Sequence, residues 1–150
     1  MQGAAHIRFN RRMVDALYVD AMLLADEARS YFDDYGRGER DGLAPLDRVA
    51  FSCESIKVTT RLMHVVAWLL TQRAVDAGEL SREQARDPSR RLGTAPVTDP
   101  ATVLAMPWSA RGLIRASIDL HRRVAALDDD RDNAVASPAR QLLDRLTAVF

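Results

Sequence analysis

The residue types that carry chemistry are few in this chain, and they are spaced in ways that keep them apart. Cys53 is the single cysteine, which excludes an intramolecular disulfide and any multi-cysteine zinc site. His64 lies about three helical turns further on; it returns to within about 20° of Cys53 around the axis but sits about 16 Å along it. A thiolate–imidazole pair therefore cannot form within one helix. Helical bundles hold di-metal centres through inward Glu side chains and Glu-x-x-His pairs, but Arg61 and Ile118 occupy the Glu position before His64 and His121. There is no H-E-x-x-H, G-x-S-x-G or phosphate-binding loop. The glycines at 36, 38 and 42 miss the dinucleotide fingerprint by one residue and follow a helical pattern, not a strand. No catalytic, cofactor-binding or metal-ligating residue is expected, and the chain does not read as an enzyme.

What remains is recognition chemistry. Arg61, Gln72 and Arg73 punctuate one long helical pattern with groups able to contact carboxylates, either on another helix of the chain or on a partner. His64 and His121 lie at the margins of apolar stripes, where a histidine hydrogen-bonded through one nitrogen is the expected arrangement. Lysine plus arginine balance aspartate plus glutamate, for a formal net charge of +0, so no global field draws the protein to nucleic acid or to an anionic membrane. The longest apolar run is Val65 to Leu70, far short of the about 20 residues of a membrane span, and the N-terminus lacks the apolar core of a signal peptide. A cytoplasmic protein with a single core is expected.

The helix that positions these groups is predicted from Pro45, at N1, to Gly78. It carries two apolar stripes. One runs Val49, Cys53, Ile56, Thr60, Met63, Ala67, Leu70, Ala74, the other Val58, Leu62, Val65, Leu69. Residues two apart are separated by about 200°, so Ile56/Val58 and Met63/Val65 place the stripes on opposite faces, and each face needs its own cover. Val58, Leu62, Val65 and Leu69 form the candidate dimer or partner face, unless the chain leaves the other stripe open. Cys53 is expected to be a small buried residue of its stripe.

Before this helix, Asn10 is a candidate N-cap for a helix with the seam Val14, Leu17, Ala21, Leu24, Ala28, Tyr31, Tyr35, stopped at Gly36. After it, Ser81-x-x-Gln84 reads as a capping box and Asp99-Pro100 as the start of a short helix within a proline-rich loop. Such a loop is long enough to be mobile or functional. A third helix is predicted from Ser109, stapled by Trp108, to Asp128, with the polar run 128–133 as a break. Ser137-Pro138 then opens a C-terminal segment whose Leu142, Leu143, Leu146 and Phe150 can anchor in a groove as a helix or pack on the chain. The fold class is all-α: an up-down-up three-helix bundle with a long central helix, residues 1–136, followed by a short C-terminal amphipathic helix or flexible tail, residues 137–150.

Several runs in this chain resemble a known family. Glu54-Ser55, Thr59-Thr60-Arg61-Leu62-Met63, Trp68-Leu69-Leu70, Gln72-Arg73-Ala74-Val75 and Gly78-Glu79 are similar to the central helix of the alphaproteobacterial regulator of CtrA degradation (RcdA) family. Glu27-Ala28, Ser30-Tyr31 and Gly36-Arg37 agree on the first helix, and Leu113-Ile114, Ser117, Leu120-His121, Arg123 and Leu127-Asp128 on the third. The resemblance implies a three-helix bundle that forms a homodimer and acts as a non-enzymatic adaptor for the ClpXP protease primed by a CpdR-type response regulator. It implies CtrA-type cargo delivered with a PopA-type effector, and a cytoplasmic protein recruited to a cell pole through its partners. The alternative is a dimeric helical scaffold or partner-binding protein unrelated to proteolysis.

Overall fold

The computed structural model describes the backbone of residues 2–136 and 138–149 and the side chains of residues 10–133, 142–143 and 145–149. Its order is α1 (Gln2–Ser30), a π-helical turn (Tyr31–Tyr35), α2 (Gly36–Asp41), α3 (Pro45–Asp76), α4 (Arg82–Ala85), a 3-10 turn (Pro88–Arg90), α5 (Pro100–Ala105), α6 (Trp108–Ala136) and α7 (Pro138–Thr147). The described residues contain no strand, as the helical periodicities require.

The seam of α1 buries Val14, Leu17, Ala21, Ala28 and Tyr31. The helix begins at Gln2, so Asn10 is an interior residue and not its cap. Gly36 does not stop it either. The backbone widens into a π turn and continues as α2. A Cβ at Gly36 would stand 2.8 Å from the Tyr31 carbonyl oxygen and 3.0 Å from its ring, so glycine there answers close packing. Tyr31, Phe32 and Phe51 form an edge-to-face cluster, with the Phe32 centroid 5.1 Å from Tyr31 and 5.3 Å from Phe51.

The limits expected for α3 are closely matched. Pro45 is in its first turn with Asp47, and Gly78, at φ 77°, closes it with bonds from the Gly78 amide to the Val75 carbonyl (3.1 Å) and the Glu79 amide to the Ala74 carbonyl (2.9 Å). These are the paired bonds of a Schellman motif. The capping box at Ser81 and Gln84 is formed, and Asp99 caps α5 through the Ala101 amide.

Helix directions follow from which residues meet. Asp15 pairs with Arg73 at 3.3 Å and Tyr31 packs near Phe51, so α1 and α3 are antiparallel. Arg61 reaches Ser117, Trp68 reaches Asp128 and Gln72 reaches Arg131, so α6 runs parallel to α3. The third helix of the expected up-down-up order is therefore reversed. The physical reason lies in residues 77–107, which travel back along α3 and α6 as an ordered strap before α6 begins. An extended segment covers up to about 3.3 Å per residue, enough for 91–99 to return from Asp128 to Glu54.

Two other expectations change in α6. Trp108 is 82% exposed and staples nothing; the Pro107 carbonyl accepts the first helical bond, from the Arg111 amide. The polar run 128–133 does not break the helix, which continues to Ala136. Its carboxylates are held: Asp128, Asp129 and Asp132 all pair with Arg91, and Asp132 also with Arg86. Like charges that would repel in an isolated helix are neutralised by arginines on the strap.

Candidate interaction face

Between Val49 and Gln72, α3 has three charged side chains, Glu54, Lys57 and Arg61, and all three turn toward the strap. The Arg61 guanidinium is 1% exposed. It donates to Ser117 Oγ (3.2 Å), the Pro96 carbonyl (3.0 Å) and Thr98 Oγ1 (2.6 Å). The Thr98 hydroxyl in turn donates to Glu54 Oε2 at 2.7 Å. Lys57 joins Glu54 Oε1 (3.1 Å) to the Val97 carbonyl (2.9 Å). Burial lowers the Arg61 pKa, and the Glu54 charge opposes that shift. A buried cation persists only where its charge and most of its donors are met; the strap supplies most of those partners, and Arg61 Nε alone of the guanidinium nitrogens has none among the described residues.

Two turns further along, Trp68 Nε1 donates to Asp128 Oδ1 at 2.9 Å and Arg91 Nε reaches both oxygens of the same carboxylate at 3.0 Å. Arg131 donates to Gln72 Oε1 and lies over the Trp68 ring; burial lowers its pKa. His121 Nε2 is 2.8 Å from the Gly93 carbonyl. The His64 ring packs on the same glycine so tightly that a Cβ there would meet Nδ1 at 2.6 Å. His64 Nδ1 is buried without a hydrogen-bond partner among the described residues. The two histidines bracket the strap and neither lines the groove between α1 and α3; the expectation of one satisfied nitrogen holds for His121 only among the described residues.

This inventory corrects the expected partner face. Val58, Leu62, Val65 and Leu69 are core residues, with exposures of 0, 3, 0 and 0%, because the strap and α6 bring polar partners to that side of α3 and close over it. The other stripe is left open. Val49, Ile56 and Met63 are 61, 67 and 65% exposed and Leu70 47%, and Cys53, expected to be buried, is exposed on the same side. From Val49 to Gln72 the open side of α3 has no charged group over about 35 Å. Alongside it, α1 and α3 enclose a groove of about 570 Å³. Ala28, Phe32, Leu62 and Val66 line it, Met63 and Leu70 form its α3 edge, and Arg29 and Asp33 stand on α1. Met22, 45% exposed, continues the apolar surface on α1.

The remaining expected recognition residues are scattered. Arg61 and Gln72 are buried and committed to the fold. Arg73 is exposed but tied to α1, pairing with Asp15 and lying 4.7 Å above the Tyr18 ring. Leu142, Leu143 and Leu146 are exposed on α7, and Phe150 lies outside the described residues. Sequence reasoning missed the α1 flank, Met22, Ala25 and Phe32, because it read α1 as a single seam. The usable signal was the absence of charge on one stripe of α3.

The described residues thus form an all-α assembly whose buried polar groups hold a strap and whose open surface is an uncharged stripe beside a groove. Among the described residues, no group of His, Cys, Asp and Glu is arranged to hold a metal ion, and no helix is long and apolar enough to cross a membrane. Residues 5–150 match the family described as "Protein of unknown function (DUF1465)". The crystal structure of RcdA from Caulobacter crescentus CB15 is similar over 79% of this chain and 89% of that one, with 31% sequence identity and a TM-score of 0.63. No curated protein matches the chain. The protein belongs to the DUF1465 family and is a member of its RcdA-like group.

Proposed function

We propose that this protein is a non-enzymatic proteolytic adaptor. It binds ClpXP primed by a CpdR-type response regulator and helps deliver cell-cycle regulators such as CtrA, with a PopA-type effector among its partners. It works in the cytoplasm as a homodimer, recruited to a cell pole through its partners. The observation that carries this reading is the uncharged open stripe of α3, Val49, Ile56, Met63 and Leu70, on a chain of RcdA-like family. Apolar patches of this extent mark contact surfaces, and the similarity to RcdA gives that contact a proteolytic setting. Arg73, Leu142, Leu143 and Leu146 are the expected recognition residues that remain exposed.

The test is reconstitution. Purified chain should be retained on immobilised ClpXP when the CpdR-type protein is present and should accelerate turnover of CtrA-type cargo. If neither the protease nor the response regulator retains it, and cargo turnover is unchanged, the adaptor reading is lost and a scaffold unrelated to proteolysis takes its place.

A further inference from the structure

Among the described residues, two apolar surfaces stand out as lacking a cover. One is the α1/α3 groove with the adjoining stripe. The other is α7, where Leu142, Leu143 and Leu146 are 60, 61 and 50% exposed, with Val149 in the turn beyond it 78% exposed. The i, i+1, i+4 spacing of the three leucines is that of a helix made to lie in a groove. Resting on the dimeric reading above, we propose that α7 of a second copy occupies the α1/α3 groove, each copy giving its C-terminal helix to the other.

The dimensions agree. From Pro138 to Thr147, α7 is about 15 Å long, and the groove from Ser55 to Leu70 extends about 22 Å. The charged residues that line the groove, Arg29 and Asp33, sum to zero, so no net charge opposes a helix that by sequence carries Arg140, Asp144 and Arg145.

Area points to the same exchange. The open stripe of α3 offers roughly 400 Å² per copy, taken as about 35 Å by about 11 Å, whereas stable interfaces bury about 600 to 1,000 Å² per partner. Stripe against stripe is too small. Two exchanged α7 helices add the missing surface.

The helix does not reach its own groove. No residue of α6 lines the groove, and α6 passes the level of Gln72 before ending at Ala136. Bringing Leu142 to Leu70 within one chain means crossing a helix diameter of about 10 Å and returning about 10 Å along the axis. Residue 137 and the first turn of α7 supply only about 10 Å in total.

Light scattering on the full chain, a chain ending at residue 137, and Leu142→Glu/Leu146→Glu tests this. The expected result is a two-copy mass for the full chain and a one-copy mass for both variants, with helical circular dichroism unchanged in the substituted chain and reduced only by the loss of α7 in the shortened one. Disulfide trapping adds a direct readout in a Cys53→Ser background. Copies carrying Met63→Cys, mixed with copies carrying Leu142→Cys, should cross-link to each other. A full chain and variants that all stay two-copy, or a cross-link that forms only inside a chain carrying both cysteines, overturns the exchange and leaves the dimer standing. A full chain that is one-copy overturns the dimer and the exchange together.

Discussion

Replacing Arg61 with Met keeps most of the side-chain volume and removes the buried cation that ties α3 to the strap. Three bonds disappear, to Ser117, Pro96 and Thr98. Ser117 is least affected, because its hydroxyl still donates to the Ile114 carbonyl at 2.8 Å. The larger effect falls on Glu54, 2% exposed, which keeps Lys57 and Thr98 but loses the nearby positive charge. Arg61 and Glu54 make no direct ion pair and are bridged by the Thr98 hydroxyl, so of the about 3–5 kcal/mol for breaking a buried pair from one side the low end applies, about 3 kcal/mol. For a chain of this size that lowers the melting temperature by about 6–12 °C. Urea unfolding followed by circular dichroism measures it, and Glu54→Gln/Arg61→Met completes a double-mutant cycle. The double variant should recover at least about 1 kcal/mol relative to additivity. Arg61→Met unfolding within about 0.5 kcal/mol of the parent, or strictly additive effects, would refute a coupled buried cluster, and a loss of partner binding at full stability would return Arg61 to a recognition role.

Three further outcomes follow from the same contacts. The Tyr31 phenol is raised above its ordinary value of 10.0, first by burial and then by its bond to Glu39. A raised folded-state pKa stabilises below the unfolded value and loses that contribution as pH climbs past about 10, so Tyr31→Phe should flatten the alkaline decline seen by thermal unfolding. Gly36→Ala places a Cβ 2.8 Å from the Tyr31 backbone oxygen and should cost about 1–3 kcal/mol by urea unfolding. Gly93→Ala intrudes on the His64 ring at 2.6 Å and should loosen the strap, read as faster hydrogen exchange at the Val97 and Thr98 amides with little change along α1.

How far the sequence could be read depended on whether the deciding interaction was local. Pro45, Gly78, the Ser81/Gln84 box and Asp99-Pro100 work within a turn of themselves, and each delivered the end it signalled. The two stripes of α3 were visible too, but equal apolarity gave no ranking between them. What buries Val58 and Leu62 while leaving Ile56 and Met63 open is the position of Glu54, Arg61 and Trp68, whose partners Thr98, Ser117 and Asp128 are distant in sequence. A charged residue on a helix usually marks the wet side. Here the strap reverses that rule. The same long-range pairing carries α6 through 128–133, where local charge alone argues for a break, and the strap's return path sets α6 parallel to α3, a direction that loop composition does not encode. On the candidate face, the absence of charge from Val49 to Gln72 was legible; the contribution of α1 through Met22, Ala25 and Phe32 needed the packing angle.

The most direct test is the rate at which primed ClpXP degrades CtrA-type cargo with the parent chain, with Ile56→Glu/Met63→Glu on the open stripe, and with no added chain. Both substituted positions are solvent-exposed within one copy, so the variant should keep the parent's helical circular dichroism. The account predicts that the parent accelerates degradation and that the variant falls to the rate without it. A parent chain that leaves the rate unchanged, or a folded variant as active as the parent, would contradict it.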